Sequence, residues 1–274
     1  MDYLEYKINV RDQHADPEIL IAFLSEAGYE GFVESGNFLV AYLPANLKDE
    51  ELLREILEQS GTNDYSVELL PDKNWNEVWE SDFHPIEIDD QVKIRASFHP
   101  YDPAFRHDIL IDPKMSFGTG HHETTRLMIK AMLATEFNEK NVLDMGCGTG
   151  ILAILASKLG AAEILAVDID EWAYSNARDN IQRNNCKGIV VRQGDIALVN
   201  DFSFDVLLAN INRNVLLQDM DHYFSMLTAG GELILSGIMI QDESTIFERA
   251  TNSGFSFEKV EQEGKWKMMR FIKP

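Results

Sequence analysis

The pattern of hydrophobic and polar positions divides the chain into two parts. The first part carries short segments with strand or helix periodicity. In chain order these are a strand at 2–10, a helix at 17–31 closed by glycine, a hairpin at 32–43 with its turn at Gly36, a helix at 49–61 and a strand at 64–70. This β-α-β-β-α-β order predicts a ferredoxin-like α+β domain, whose sheet has helices on one face and a free opposite face.

The second part, from about residue 122, alternates helices with strands that are apolar on both faces. The predicted segments are helix 122–136, strand 141–146, helix 151–159, strand 163–170, helix 171–184, strand 188–195, strand 204–211, helix 214–227, strand 231–238 and helix 242–252. Such alternation predicts a doubly wound, Rossmann-like parallel sheet of the α/β class. The last residues predict an antiparallel hairpin turning near Glu263 and Gly264, which is typical of the class I methyltransferase sheet.

Between the two parts, Pro71 is followed by "DKNWNEVWESDFHP". Trp75 and Trp79 are four residues apart, so they share one face of a short helix and predict a linker anchored by two aromatic rings. Short strands follow within 86–111. We therefore predict a ferredoxin-like domain at 1–70, a linker helix at 71–84 and a methyltransferase-type domain at 85–274.

Composition indicates a globular chain of 274 residues without secretory features. The first ten residues show neither a basic nor an apolar leader segment. The longest aliphatic run, at 151–156, is far shorter than the roughly 18 residues of a membrane span. Cys147 and Cys186 are distant in sequence, which favours a reducing compartment without disulfides. We expect a cytoplasmic protein.

The formal net charge is −22, and residues 1–70 hold fifteen acidic and four basic residues, a net −11. An anionic surface repels phosphates, so direct nucleic-acid binding is not expected as the main task. The acidic first domain has two interpretations. It serves solubility alone, or it docks a basic partner.

A glycine-rich turn in "VLDMGCGTGILAILA" joins a predicted strand to a helix. Gly146, Gly148 and Gly150 give G-x-G-x-G, whereas a dinucleotide fingerprint needs a glycine where Ile151 stands. Glycines here let a ligand lie against bare backbone. Asp144, just before the turn, either holds the loop or accepts a hydrogen bond from a ligand amine.

Acidic residues end the next two predicted strands. Asp168 lies 22 residues after Gly146, where it can accept from ribose hydroxyls, and Asp195 lies where an adenine amino group would sit. Each of these acids, taken alone, is explained equally well by a structural role, as a strand-end cap or a solvated charge, and by contact with a ligand. Together with the glycine loop they predict a nucleoside site, and the lack of a Walker lysine argues against phosphate binding.

These features resemble class I S-adenosylmethionine-dependent methyltransferases over roughly residues 120–274. The resemblance implies that Gly146 and Gly148 lie along the methionine part of the cofactor. It also implies that Asp168 holds the ribose and that Asp195 reads adenine. The product would be S-adenosylhomocysteine.

The fourth strand ends in "LLANIN", where amino methyltransferases often carry Asn-Pro-Pro-Tyr. Asn210 can supply an amide oxygen and the Ile211 backbone a carbonyl, and we expect both to accept hydrogen bonds from a substrate nitrogen. The aromatic residue of that motif is missing, which removes its cation–π contribution. The alternative is that Asn210 only forms a turn at the strand end.

The stretch "DPKMSFGTGHHETT" at 112–125 allows a metal site, a phosphate cradle or a cofactor lid. A zinc helix would read H-E-x-x-H, but no second histidine follows His122 at that spacing, and adjacent His121 and His122 lack i, i+4 placement. We therefore expect no catalytic metal.

This stretch closely resembles the D-P-x-x-A-F-G-T-G-x-H-x-T-T signature of the methyltransferases of large-subunit ribosomal protein eleven, with Ser116 replacing alanine. With the first domain, the resemblance spans essentially the whole chain. It implies that Thr125 reaches the cofactor and that Phe117, Gly118, Thr119 and Gly120 shape the methyl-transfer pocket. It assigns no role to His121 or His122.

The resemblance also implies the reaction and the partner. Methyl groups would pass to lysine side chains and the N-terminal amine of that ribosomal protein, free or ribosome-bound. The acidic charge of the first domain suits recognition of a basic ribosomal protein, and we expect the enzyme to work as a monomer. Two alternatives stay open. One is a methyltransferase for another protein or small-molecule amine, and the other is a non-catalytic nucleoside-binding module.

Overall fold

The structure is a computed structural model that describes residues 2–10, 17–70, 84–112, 118–199 and 202–274. The chain forms two compact units, Met1–Phe83 and His84–Pro274. The predicted linker helix with Trp75 and Trp79 lies outside the described residues, as does Phe117.

The first unit is a four-stranded antiparallel sheet with two helices. Its elements are β1 (Tyr3–Asn9), α1 (Pro17–Glu26), β2 (Glu30–Ser35), β3 (Phe38–Pro44), α2 (Glu50–Gln59) and β4 (Tyr65–Leu70). The sheet order β2-β3-β1-β4 confirms the predicted ferredoxin-like fold. Strand β2 starts at Glu30, earlier than predicted, because α1 already ends at Glu26.

Alternation along β1 decides which face of this sheet is covered. Leu4, Tyr6 and Ile8 are buried with apolar residues of both helices, whereas the residues between them are not. Helix α2 begins where the Asp49 carboxylate accepts hydrogen bonds from the Glu51 and Leu52 N–H groups, each 3.1 Å long. One face of the sheet therefore packs on helices and the other carries the intervening polar positions.

The second unit contains two sheets. A small one consists of β5 (Ile86–Ile88), β6 (Val92–Arg95) and β7 (His107–Leu110). The remaining elements are α3 (Glu123–Leu133), β8 (Asn141–Met145), α4 (Ile151–Lys158), β9 (Glu163–Asp168), α5 (Glu171–Arg183), β10 (Ile189–Gln193), β11 (Phe204–Asn210), α6 (Arg213–Met226), β12 (Leu227–Met239), α7 (Glu243–Asn252), β13 (Ser256–Glu263) and β14 (Trp266–Ile272).

The large sheet has the strand order β10-β9-β8-β11-β12-β14-β13. The strands from β10 to β12 are parallel, and β14 and β13 add an antiparallel hairpin, as predicted. Strand β12 starts at Leu227 rather than at 231, because Leu227 pairs with Phe204 ahead of a register shift. This extension could not be predicted from the hydrophobic pattern, because it contains polar Thr228 and two glycines.

Both faces of this sheet are buried. On β8, Val142 packs into one apolar cluster and Leu143 into the other, and both side chains are fully buried. Because β8 to β11 run parallel, their carboxyl ends meet at one edge. No helix in the described part of the chain combines the length and apolar character needed to cross a bilayer.

Candidate active site

The glycine loop is held by the strand beside it. The Gly146 and Cys147 N–H groups donate to the Val167 carbonyl over 2.8 and 3.0 Å. The Gly148 N–H donates to Asp168 Oδ2 over 2.8 Å. These bonds fix the loop against the end of β9, just before α4.

Ile211 lies where two glycines leave space. Gly146 has φ 72° and Gly237 has φ 83°, a region that disfavours side chains. A Cβ on Gly146 would overlap the Ile211 side chain, and one on Gly237 would overlap the Ile211 carbonyl. The segment after Asn210 is therefore packed directly onto the glycine loop and onto β12.

Asp168 uses both carboxylate oxygens on backbone groups. Besides Gly148, the Asp170 N–H donates to Oδ1 over 3.0 Å. Its carboxylate is half-buried, and each oxygen retains a further lone pair. Asp168 thus shapes the glycine loop, a role that its spacing alone did not reveal.

Asp195 lies two residues beyond the end of β10 and is exposed. Its Oδ1 accepts from the Ala197 N–H over 3.0 Å. The Gly194 N–H donates to the Asp168 backbone carbonyl over 2.8 Å, so the structure brings the two predicted acids to neighbouring strand ends.

Asp144 is buried beneath the loop, with 1% of its surface exposed. Oδ2 accepts from the Ala153 N–H over 3.0 Å, whereas Oδ1 has no partner among the described residues. Burial raises the pKa of Asp144 to about 7, and the charge of Asp168 adds to the effect. The structure therefore leaves a buried acceptor without a donor below the glycine loop.

Asn210 ends β11 beside Ser236 of β12 and is half-buried. Within the described residues its side-chain amide makes no hydrogen bond. The next asparagine does the capping, because Asn212 Oδ1 accepts from the Val215 N–H over 3.2 Å and starts α6. A turn at this strand end therefore does not require the Asn210 side chain.

The signature segment meets the glycine loop through Gly118. Its carbonyl accepts from the Thr149 hydroxyl over 2.6 Å, and Asn180 of α5 donates to the Thr149 carbonyl over 3.0 Å. Thr149 and Asn180 are fully buried. Neither role could be predicted from the sequence, since only the packing shows that Thr149 and Asn180 join the two loops.

The two histidines occupy different environments. His122 Nδ1 accepts from the Thr124 N–H over 3.2 Å and caps α3, while its ring lies edge-on to Trp266 with centroids 4.8 Å apart. His121 Nδ1 lies 3.3 Å from the Thr119 hydroxyl, and burial lowers the pKa of His121. Because Ser, Thr, Asp and Asn are the usual caps, the capping role of His122 could not be predicted from the sequence.

Thr125 is buried in the first turn of α3, directly after that cap. Arg126 donates to the His121 carbonyl and pairs with Glu263 over 2.6 Å, which ties the segment to the hairpin of β13 and β14. Nowhere in the described ranges do three His, Cys, Asp or Glu side chains cluster in a way that could hold a metal ion.

Two large apolar side chains near Asp168 in the chain are exposed, which was not predicted from the sequence. Ile169 is 74% exposed and Trp172 is 70% exposed, although both are large and hydrophobic. They flank the strand end that carries Asp168, so apolar surface lies next to the acids. A hydrophobic residue directly after a strand-end acid was the available signal.

The strand order, glycine loop and strand-end acids define the second unit as a class I S-adenosylmethionine-dependent methyltransferase fold. Comparison with known protein families identifies one family within this class. Residues 8–274 match the family model described as "Ribosomal protein L11 methyltransferase (PrmA)". The chain belongs to this family.

The similarity of the chain to individual relatives supports that assignment. The chain is 43% identical over 261 residues to the ribosomal protein L11 methyltransferase of Phocaeicola vulgatus, covering 93% of both chains. It is 44% identical over 260 residues to that of Porphyromonas gingivalis, covering 93% of this chain and 90% of the relative. The crystal structure of a ribosomal protein L11 methylase from Lactobacillus delbrueckii subsp. bulgaricus superposes with a TM-score of 0.66 at 29% identity, covering 70% of this chain and 99% of the other.

Gly146→Ala should disrupt the site far more than a matched glycine substitution. Gly230 has a similar φ of 76° but open space around its Cβ position. Gly230→Ala should cost about 1–2 kcal/mol of unfolding free energy from the left-handed backbone alone. Gly146→Ala should cost more, because it also displaces Ile211, and should lower methyltransferase activity strongly. Urea unfolding and a methyl-transfer assay check this, and equal effects of the two variants would contradict the packing argument.

Proposed function

We propose that this chain transfers methyl groups from S-adenosylmethionine to lysine side-chain and N-terminal amino groups of ribosomal protein L11, and that it does so in the cytoplasm. Its family membership supports the substrate, and the relatives above are named ribosomal protein L11 methyltransferases without a stated amino group. The observation that carries the chemistry is the Asn210 amide, which ends β11 without a side-chain partner among the described residues.

The residues at the sheet edge fit the cofactor. Asp144 Oδ1, buried and without a donor, suits the ammonium of the methionine part. Asp168 retains lone pairs for the ribose hydroxyls, and Asp195 suits the adenine amino group. The rest of the cofactor site would be formed by five residues of the glycine loop and the signature segment, namely Gly146, Gly148, Gly118, Thr119 and Thr125.

When bound, S-adenosylmethionine supplies a methyl group already activated by the sulfonium. The chain's task is to align a neutral amine and to exclude water. The Asn210 amide oxygen and the Ile211 carbonyl would accept hydrogen bonds from that amine. The family signature assigns Phe117, which lies outside the described residues, to the same pocket. We propose neither a general base nor a metal ion.

The free face of the first unit suits a basic protein. Strand register places Glu30, Tyr42, Glu5 and Glu68 in one row across all four strands. The row lies opposite the helix-covered face, because neighbouring Leu4 and Tyr6 are buried under the helices.

Glu5 and Glu68 are directly opposed, and like charges at such positions destabilise a sheet. A lysine-rich partner would relieve that repulsion. The negative charges of the row would also attract such a partner to this face of the sheet. We therefore propose that residues 1–70 recognise the substrate, 71–84 link and 85–274 carry the reaction, within a monomer.

The deciding experiment is methyl-site mapping on purified ribosomal protein L11, both free and in large ribosomal subunits, after incubation with the chain and S-adenosylmethionine. Mass gains in single-methyl steps on lysines and the N-terminal amine are expected. A basic ribosomal protein from the same subunit serves as the control substrate. No gain on ribosomal protein L11, or equal gain on the control, would refute the proposed specificity.

Asn210→Ala should lower kcat by about 10²–10³-fold, because the reacting amine loses an oriented acceptor. The dissociation constant for S-adenosylmethionine should change by less than about threefold, since Asn210 is assigned to the amine. Asn212→Ala is the matched control, and it should affect stability through the α6 cap. Calorimetry and steady-state kinetics separate the effects, and equal losses of binding and turnover would leave Asn210 only a structural role.

The affinity for S-adenosylmethionine should rise between about pH 5.5 and about pH 7. Burial raises the pKa of Asp144 to about 7, so the free site is largely protonated below that pH. A cation beside Oδ1 favours the carboxylate, so binding releases a proton and becomes stronger as pH rises, by up to about tenfold per unit. Asp144→Asn should flatten this dependence. Calorimetric titrations at several pH values test it, and an unchanged slope in the variant would exclude Asp144 as the group responsible.

The double substitution Glu5→Gln/Glu68→Gln removes two negative charges from the row. It should raise KM for ribosomal protein L11 about tenfold at low salt, because these charges attract the basic substrate. Affinity for S-adenosylmethionine should be unchanged. Glu55→Gln/Glu58→Gln removes the same charge from exposed positions on α2 and should change KM little. Equal effects of both pairs would mean that total charge, rather than the sheet face, attracts the substrate.

A further inference from the structure

A basic cleft lies at the opposite edge of the large sheet from the active site. Helix α4 runs from the glycine loop to Lys158, and α5 runs from Glu171 to Arg183, so their last residues meet at the amino ends of the strands. There they line a cleft of ≈ 300 Å³ together with Arg95, Arg106 and Tyr101. A second cavity of ≈ 560 Å³ adjoins it and shares Lys158, Asn184 and Asn185.

The cations of this cleft are only partly balanced. Arg95 pairs with Asp108 over 2.8 Å, and Arg183 pairs with Asp112 over 3.2 Å. Arg106 and Lys158 form no ion pair with any residue that the structure describes. Asp108 is the acidic side chain in the lining. A net positive cleft is thus present in a chain of net charge −22.

A buried histidine, His107, lies next to Arg106 in the chain and close to this cleft. His107 is 6% exposed, and its Nε2 has no partner within the described ranges. Burial lowers the pKa of His107, and Arg106 and Lys158 lower it further. Both cations therefore lie close enough to His107 to act on it, without anions to cancel them.

Helix dipoles explain only part of this arrangement. Lys158 and Arg183 lie in the last turns of α4 and α5, where cations offset the negative helix ends. Arg106 precedes a strand, β7, and has no such role. Its exposed guanidinium adds charge to the cleft rather than to a helix end.

Aromatic rings complete the lining. Tyr101 is 63% exposed, and the Arg95 guanidinium lies 5.9 Å from its ring centroid. Phe105 also lines the cleft. Exposed aromatic rings among cations are the combination with which proteins bind nucleotides, through stacking and phosphate contacts.

We propose that this cleft is a second ligand site, separate from the methyl-donor site, that binds a nucleotide phosphate. Arg106 and Lys158 face the phosphate oxygens, and Tyr101 offers a stacking surface to the base. The total charge disfavours nucleic acid as a main partner, yet these cations act locally within a Debye length of about 8 Å at physiological salt. The ligand is a free nucleotide or a single-stranded RNA segment.

The test measures binding of fluorescently labelled hexauridylate to the full chain at low salt, with S-adenosylhomocysteine at saturation. Uridine is chosen because an adenine would compete for the methyl-donor site. Arg106→Glu/Lys158→Glu should weaken binding at least about tenfold and reduce the log–log salt slope by about 1.4, the loss expected for two phosphate contacts to a single strand. Tyr101→Ala should weaken it about fivefold or more.

The control variant Arg54→Glu/Lys259→Glu makes the same charge change outside the cleft and should change binding less than twofold. Circular dichroism and thermal unfolding verify the fold, and Arg106→Gln/Lys158→Gln replaces the reversal if it unfolds. Competition by UMP at similar concentrations identifies a mononucleotide ligand, whereas binding of hexauridylate alone identifies single-stranded RNA. Absence of wild-type binding, or equal losses in the cleft and control variants, would overturn the proposal.

Discussion

The close approach of Ile211 to Gly146 and Gly237 is the contact on which the site depends. It brings the end of β11 against the glycine loop and against β12, where any side chain on either glycine would collide with Ile211. Asn210 therefore ends its strand at a fixed position relative to Asp144 and Asp168. Because protein interiors are close-packed, such contacts allow one arrangement rather than a range of them.

Hydrogen bonds extend this constraint to the surrounding segments. Asp168 holds Gly148, Thr149 holds Gly118, and Arg126 joins the His121 carbonyl to the C-terminal hairpin. Against this background, Asp144 Oδ1 is a buried acceptor with no donor in the described chain. A buried acceptor is costly when unpaired, which is consistent with a group that awaits a cationic ligand.

Charge is distributed unevenly on a chain that is acidic overall. Glu30, Glu5 and Glu68 form a row on the face of the first unit's sheet opposite its helices. Arg106 and Lys158, which form no ion pair with any described residue, lie at the amino ends of the second unit's strands. Net charge describes long-range repulsion, whereas recognition depends on charges within a Debye length. The two surfaces therefore suit ligands of opposite sign.

Most of the fold could be predicted from the sequence, because hydrophobic residues that repeat every 2 or every 3.6 positions show which side chains face a core. The early start of β12 was missed, since Thr228, Gly230 and Gly231 carry no apolar pattern and the strand there is set by the pairing of Leu227 with Phe204. The positions of Asp168 and Asn210 at one end of the sheet were predictable, because each ends a parallel strand. Thr149, Asn180 and the capping role of His122 were not, since their partners are distant in sequence or unusual in type.

The sequence by itself determined the element order, the glycine loop, the strand-end acids and the family signature at 112–125, because these are local patterns along the chain. Only the tertiary structure decided that Asp168 braces the glycine loop, that Asp144 is buried with a raised pKa and that Ile211 packs on two glycines. It also decided that Arg106 and Lys158, 52 positions apart, share a cleft. Burial, charge proximity and close packing arise between segments, so no local pattern encodes them.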